Sequence, residues 1–265
     1  MATTLLRATI DGSLVVQWIA LLVGIVASSF APASGSREAP LGVVLWLENI
    51  VQVIEIVFYH WYRWVALGSA VVAAGSLDVT WVRYLDRMFT TPVMLISTAL
   101  FFEWKRGADG SHPDAVEAED RFSLWDWLSA NQTPVVGMVV ANGVMLLLGF
   151  LQEIGTIDIV TSTVTGFFAL GVAFWILGRM RGPSPKRVGA GTGVGVGGAG
   201  LLPRGASSAD WWSDWLYPAM FFVWSLYGVA ATLPSLWKNV MYNILDLFSK
   251  NFYGLYVSWL VFQRA

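Results

Sequence analysis

The chain contains no cysteine. That excludes disulfides, thiolate nucleophiles and cysteine-based metal sites, and it removes the usual clue to redox compartment. Charge is scarce as well. Charged residues make up 13% of the 265, where a soluble domain carries about a quarter. The formal net charge is −2 and no basic patch exists, so no nucleic-acid partner is expected. The N-terminus lacks the charged start, apolar stretch and small-residue cleavage site of a secretory leader, and none is expected. What the chain has in excess is apolar surface: 56% hydrophobic residues, including 15 Trp and 15 Phe. The expectation is an integral, multi-pass membrane protein whose first partner is the lipid bilayer.

Seven stretches reach the roughly 20 apolar residues that a crossing helix needs. They span 10–30, 41–62, 79–102, 132–151, 155–178, 212–232 and 239–262. The spacing predicts an all-α, seven-transmembrane bundle forming one domain over 1–265. Trp64 to Leu77 is apolar but short and rich in Gly, Ala and Val, and reads as an extracellular loop or hairpin. Two linkers stand out: Glu103 to Asp126, with mixed charge, and Gly182 to Ala209, whose Gly-rich run reads as a flexible cytoplasmic loop. That run follows no strand and lacks the lysine-hydroxyl ending of a phosphate loop, so nucleotide binding is rejected.

Basic residues set the expected orientation. Arg37, Lys105, Arg106, Arg121, Arg179, Arg181, Lys186, Arg187, Arg204 and Arg264 fall on one side, and Arg7, Arg63 and Lys238 on the other. Ten against three puts the N-terminus outside and the C-terminus in the cytoplasm.

Lys250 sits inside the last apolar run, NVMYNILDLFSKNFYGLYVSWLVF. A lysine at that depth is costly unless paired, solvated or chemically altered. Asp246 lies four residues earlier on the same helical face. The pair is either a structural ion pair or an amine poised to form a Schiff base with a carbonyl ligand, its charge balanced by the aspartate. In the third segment Arg83, Asp86, Thr90 and Ser97 recur on one face, which must point inward. Asp86 can supply a second carboxylate opposite the lysine, and Arg83 can keep both ionised.

RYLDRMFTTP together with LDLFSKNFYG resembles the microbial (type 1) rhodopsins over essentially the whole chain. The third segment matches their R-Y-x-D/E-x-x-x-T-x-P form and the seventh their D-x-x-x-K form. The resemblance implies all-trans retinal covalently bound to Lys250, with Asp86 as primary counterion and proton acceptor and Asp246 as second counterion. Trp224 and Tyr227 match the aromatic residues that pack on the polyene. Two departures concern the same pocket: Gly228 stands where many relatives have proline, and Arg87 where most have a tryptophan. Ser249 and Thr156, as polar neighbours of the retinal, imply absorption toward blue-green.

The resemblance leaves the transport mode to the details. The usual cytoplasmic proton-donor position is Ser97, a hydroxyl far too weak as an acid to reprotonate the lysine quickly. Glu48 and Glu55 stack seven residues apart on the second segment, with Asn49 and Gln52 beside them. Carboxylates and amides of this kind suit a hydrated cation path, or equally interhelical hydrogen bonding. LDLFSKNFYGL is similar to the lysine segment of algal cation channelrhodopsins, which implies a central gate at Glu48 and Asn251, a second pore glutamate at Glu55, and Ser13 facing the same gap. LLLGFLQEIGTIDI resembles their D-I-G-T-I run, which implies that Glu153 bonds Thr91. Val51 and Tyr59 replace other polar pore positions of that family. The short length and lack of cysteine bring the chain closer to the channel-like rhodopsins of giant algal viruses.

The reading is therefore a light-gated cation channel, not an enzyme, with an outward proton pump as alternative and a sensory photoreceptor as the weakest, since the chain ends soon after the seventh segment. A plasma-membrane location and a dimer, trimer or pentamer are expected by the same resemblance.

Overall fold

The computed structural model describes residues 2–33, 36, 38–68, 80–108, 122–181 and 208–264. Among them are the helices α1 (Ala2–Ser28), α2 (Ala39–Gly68), α3 (Val82–Ala108), α4 (Leu124–Ala130), α5 (Gln132–Glu153), α6 (Ile159–Arg181), α7 (Ser208–Ala231), α8 (Ser235–Asp246) and α9 (Phe252–Arg264). A π-helical turn over Leu247–Asn251 joins α8 to α9. Backbone angles stay right-handed helical at Asp246, Leu247 and Phe252, so α8, the turn and α9 form one continuous rod. Seven rods result, with α4 a short cap leading into α5.

Five of these helices, α1, α2, α3, α5 and α6, carry spans of 22 to 27 residues apolar enough to cross a membrane. The apolar part of α7 is shorter, Trp215–Ala231. The seventh rod is broken by the π turn into stretches of 12, 5 and 13 residues, and its buried side holds Lys238, Asn239, Asn243, Asp246, Lys250 and Asn251. Its polarity faces its neighbours, where it can be satisfied. The molecule is correspondingly inside-out. Phe168 is 75% exposed and Val57 66%, while Arg83, Asp86, Asp246 and Lys250 are buried. Only lipid makes such an exterior stable.

The rods pack as a closed ring in the order α1, α2, α3, α5, α6, α7 and α8–α9, which returns to α1 and α2. One end is filled by an apolar cluster of α2, α3, α6, α7 and α9 side chains, including Leu45, Leu95, Phe101, Phe174, Trp224 and Tyr253. The other end is built on tyrosines: Tyr59 and Tyr62 with Ile10 and Leu14, and Tyr242 with Leu245 and Ala230. Arg83 lies among these rings, 4.5 Å from the Tyr62 centroid.

Several expected boundaries move. The second helix continues through Trp64 to Gly68, so the first part of the expected 64–77 loop is helical, and 69–79 lie outside the described residues. The expected linker 103–126 is helical at both edges, in α3 and α4, because Ser123 caps α4 by accepting from the Asp126 amide at 3.3 Å. Most of the expected Gly-rich loop lies outside the described residues. The fifth crossing begins at Ile159 rather than 155, because Gly155 takes a φ of +76° and turns the chain. Asp158 then caps α6, accepting from the Thr161 hydroxyl at 2.6 Å and from the Thr161 and Val160 amides. Those bonds hold its carboxyl below the usual range.

Candidate functional site

The π turn puts Lys250 and its neighbours Ser249 and Asn251 inside the bundle together. An α-helix would rotate one of the three outward; a single wide turn, a device recurrent at functional sites, does not. Lys250 Nζ meets three carboxylates. Asp86 Oδ2 from α3 is 3.2 Å away, Asp246 Oδ1 one turn back is 3.6 Å away, and Glu55 of α2 is in direct contact. Asp86 and Asp246, the expected counterions, both lie beside Lys250, and Glu55, expected as a second pore glutamate, stands in the same cluster.

Asp246 is the most heavily bonded of the three. It accepts from Tyr59 Oη and Tyr227 Oη, each at 2.6 Å, and lies 3.4 Å from Arg83 Nη1. Charge-assisted bonds to a buried carboxylate are the strong class, and here they fix its position beside the lysine. Tyr227 Oη also meets Ser249 Oγ at 2.8 Å. Arg83 spreads its remaining donors over Asn239 Oδ1 at 2.9 Å and Asn243 Oδ1. Tyr62 Oη donates to that same Asn239 oxygen at 3.1 Å. Asn239 and Asn243 are neighbours of the cluster that sequence reasoning passed over, and Tyr59, read only as a replaced pore position, joins them. The signal existed: 239, 243, 246 and 250 recur at helical spacing on one face of the seventh rod.

On the other side of Lys250, Glu48 Oε1 accepts from Ser97 Oγ at 2.5 Å. No hydrogen bond joins Glu48 to Asn251, whose Oδ1 and Nδ2 both lack a protein partner. Gln52 and Gln17 are also buried with unbonded amides. The backbone of Gly254 approaches this group closely, for a Cβ there would lie 3.4 Å from Gln52 Nε2. Ser13, expected to face the gap, instead donates to the Asn243 carbonyl at 3.2 Å and ties α1 to α8.

A cavity opens beside Lys250. Its walls include Trp224, Tyr227, Leu170, Phe167, Met145 and Met94, with Thr91 and Ser249 among the polar groups. Trp224 and Tyr227 therefore line it as expected. Thr90 does not; its hydroxyl bonds the Asp86 carbonyl at 3.2 Å and steadies that turn of α3. Gly228 is explained by close approach, since a Cβ there would fall 2.7 Å from the Phe167 ring.

Two expected pocket residues are elsewhere. Glu153 does not reach Thr91. It ends α5, eleven residues or roughly 16 Å along the helix from the level of Thr91, and pairs with Lys238 Nζ at 2.7 Å. The Thr91 hydroxyl accepts from Asn142 Nδ2 at 2.7 Å instead. Thr156 lies in the turn after α5, is exposed, and is not among the residues lining the cavity. Lys238, counted among the basic residues on the N-terminal side, is buried in its pair with Glu153.

The family model of bacteriorhodopsin-like proteins matches residues 9–192. The chain is a microbial rhodopsin. Solved structures share its fold. A viral rhodopsin, OLPVRII, is 23% identical over 98% of this chain and 99% of its own, with a TM-score of 0.70. A blue light-absorbing proteorhodopsin from Med12 is 17% identical over 98% and 99%, TM-score 0.63. Xanthorhodopsin, a light-driven ion pump with dual chromophore, is 14% identical over 98% and 93%, TM-score 0.62. At these identities the likeness is one of fold. No curated protein matches the sequence. Membership in the rhodopsin family implies a retinal chromophore carried on a lysine. The residues present fit it: an apolar, aromatic-walled cavity with Lys250 on its lining is what a long polyene aldehyde requires.

Proposed function

We propose that this rhodopsin is a light-gated cation channel that carries all-trans retinal covalently on Lys250. The observation behind the channel reading is the row of buried, unbonded polar atoms on Gln17, Gln52, Asn251 and Glu48 Oε2. Buried polar groups are rarely left unpaired, and such sites are normally completed by ordered water. A hydrated file between α1, α2 and the π turn gives cations partial replacement of their own water.

The chain's own residues then divide the work. When bound, retinal supplies light absorption and a change of shape. Asp86, Glu55 and Asp246 hold the proton on Lys250 Nζ and offer it acceptors within contact range. Tyr59, Tyr227 and Arg83 hold Asp246 in place, which leaves Asp86 or Glu55 to receive the proton. The Glu48–Ser97 bond closes the file between α2 and α3, and its parting opens it. Basic residues on the loops favour an N-terminus outside the cell, a plasma-membrane location follows from cation transport, and a homo-oligomer is in keeping with the family.

The second reading is an outward proton pump. One observation favours it: Ser97, at the usual donor position, is bonded to a carboxyl group after all, borne by Glu48 of α2. The test is photocurrent under voltage clamp in an animal cell supplied with all-trans retinal, stepping the holding potential. Current that reverses near the cation equilibrium potential supports a channel. Outward current that never reverses means a pump, and a slow photocycle with no current means a sensor.

A further inference from the structure

Lys250 and Arg83 against Asp86 and Asp246 would make a balanced cluster, two charges of each sign. The described residues hold one more of each. Glu55 of α2 brings a third carboxylate into direct contact with Lys250. Arg87 of α3 brings a third cation, 6% exposed, on the lining of the same cavity as Lys250.

Local contacts give Arg87 little reason to be an arginine. No carboxylate lies within ion-pair distance of it among the described residues, and among them its Nη2 has no hydrogen-bond acceptor. Its Cζ lies 4.0 Å from the Tyr242 ring centroid, 4.6 Å from Tyr227 and 5.8 Å from Tyr84. Those faces offset part of the cost of burying a guanidinium, and the remainder needs a negative charge nearby. The rings lead back to one. Tyr227 bonds Asp246 at 2.6 Å, and Arg87 acts on that carboxylate electrostatically past the ring. Tyr242 also lies 5.8 Å from Arg83 Cζ, so one ring is shared by two guanidinium groups. Attraction between buried charges falls only with the inverse of distance, so contact is not required for the third cation to count. The other buried carboxyl groups are engaged elsewhere: Glu153 pairs with Lys238, and Glu48 lies two turns along α2 from Glu55 against Ser97.

We propose that Arg87 is the charge partner of Glu55, a positioning residue that brings the formal count around Lys250 to three against three and lets a third carboxylate stand at the lysine. It acts through others. Arg87 and Arg83 together serve Asp246, which leaves Lys250 to hold Glu55 and Asp86. The series Arg87, Asp246, Lys250, Glu55 thus alternates in sign from the cavity lining to α2. Two proton acceptors, rather than one, stand within reach of Nζ as a consequence. Without Arg87, three carboxylates face two cations, and a buried charge left without compensation is strongly destabilising. Without Glu55 as well, two again face two.

The proposal rests on the retinal reading only for its optical measurement. Melting temperatures of the retinal-free protein are compared for Glu55→Gln, Arg87→Gln and their double variant, with Glu153→Gln plus Arg87→Gln as control. Each single variant is expected to melt below the wild type. The Glu55→Gln, Arg87→Gln double is expected to melt above Arg87→Gln alone, because it removes the surplus carboxylate, whereas a residue that only packs gains nothing from a change it does not touch. Should Arg87→Gln fail to fold by itself, the double variant is expected to fold. In the retinal-loaded protein Arg87→Gln should move the absorption maximum, and the double should return it toward the wild-type position. A double that melts no higher than Arg87→Gln, or that fails to fold, overturns the proposal, and so does an absorption maximum unmoved by Arg87→Gln. Equal rescue by Glu153→Gln overturns it too, by assigning Arg87 to the Lys238 pair. Thermal rescue in a protein that forms no pigment refutes the retinal reading and leaves the charge partnership standing.

Discussion

Ser97 of α3 donates a 2.5 Å hydrogen bond to Glu48 of α2, and both side chains are fully buried. A serine that is useless alone as a proton source thereby shares its position with a carboxyl group. If this contact closes the hydrated file, Glu48→Gln keeps the shape and removes the charge and the titratable group. The expected outcome is a change in the proton share of the photocurrent of about ten-fold in relative permeability, worth about 1.4 kcal/mol. Reversal potentials in two sodium and two pH conditions measure it. Unchanged reversal potentials would remove Glu48 from the path.

Among the described residues, Lys250 is the only lysine on the cavity lining. Lys250→Ala should abolish visible absorption after incubation with all-trans retinal, while leaving the helical content of the protein intact. Colour that survives this change would overturn the attachment site, and with it the functional reading built on the three carboxylates.

Tyr59 and Tyr227 each give Asp246 a hydroxyl at 2.6 Å. Tyr59→Phe preserves the ring and withdraws one donor from a buried charge, at a cost of about 1.5–3 kcal/mol. Faster thermal bleaching of the loaded protein reports that cost. Tyr227→Phe should act in the same direction. Because both bonds end on one carboxylate, the double variant should lose less or more than the sum of the singles. Strict additivity would argue that the two tyrosines do not share a network.

Gly228 lies against the tip of the Phe167 ring in the cavity wall, so close that a Cβ would force the ring to shift. Gly228→Ala must push that ring aside, and overpacking of this kind costs about 1–3 kcal/mol. The measurement is the rate and extent of pigment formation on adding retinal, with wild-type expression as control. Uptake identical to wild type would show that the Phe167 ring yields freely.

How far the sequence alone led depends on which link was needed. Spacing along single helices was enough to place Lys250, Asp246, Asp86 and Arg83 together, because each faces inward for the same reason: lipid does not tolerate them. Partners across helices were harder to read. Glu55 was legible as a buried carboxylate of α2 but not as a contact of Lys250, because the π turn that brings them together leaves no composition signal. Glu153 was misplaced by a local run of letters. Its neighbours match a known pattern, but helix α5 ends there, and Asn142 takes the position against Thr91. Arg87 stood out as a departure without a partner, and its tyrosine surroundings come from three separate helices.

The Lys238–Glu153 pair yields the sharpest stability test. Lys238 sits in the first turn of α8 and Glu153 is the last residue of α5. A helix N-terminus disfavours a cation and a C-terminus disfavours an anion, so each charge stands at the wrong end of its own helix. The 2.7 Å contact, with both side chains less than a tenth exposed, offsets the two penalties together. Removing one partner leaves the other buried, unpaired and still opposed by its helix. Lys238→Met or Glu153→Gln should therefore destabilise by about 3–5 kcal/mol. Exchanging the two, Lys238→Glu with Glu153→Lys, restores the pair and also sets each charge at the end that favours it. The exchanged protein should recover most of the loss and can exceed the wild type, since each corrected dipole contact is worth about 0.3–1 kcal/mol. Melting temperatures of the four proteins decide this. An exchanged protein no more stable than the single variants would show that the site depends on which residue stands where, through contacts other than the ion pair.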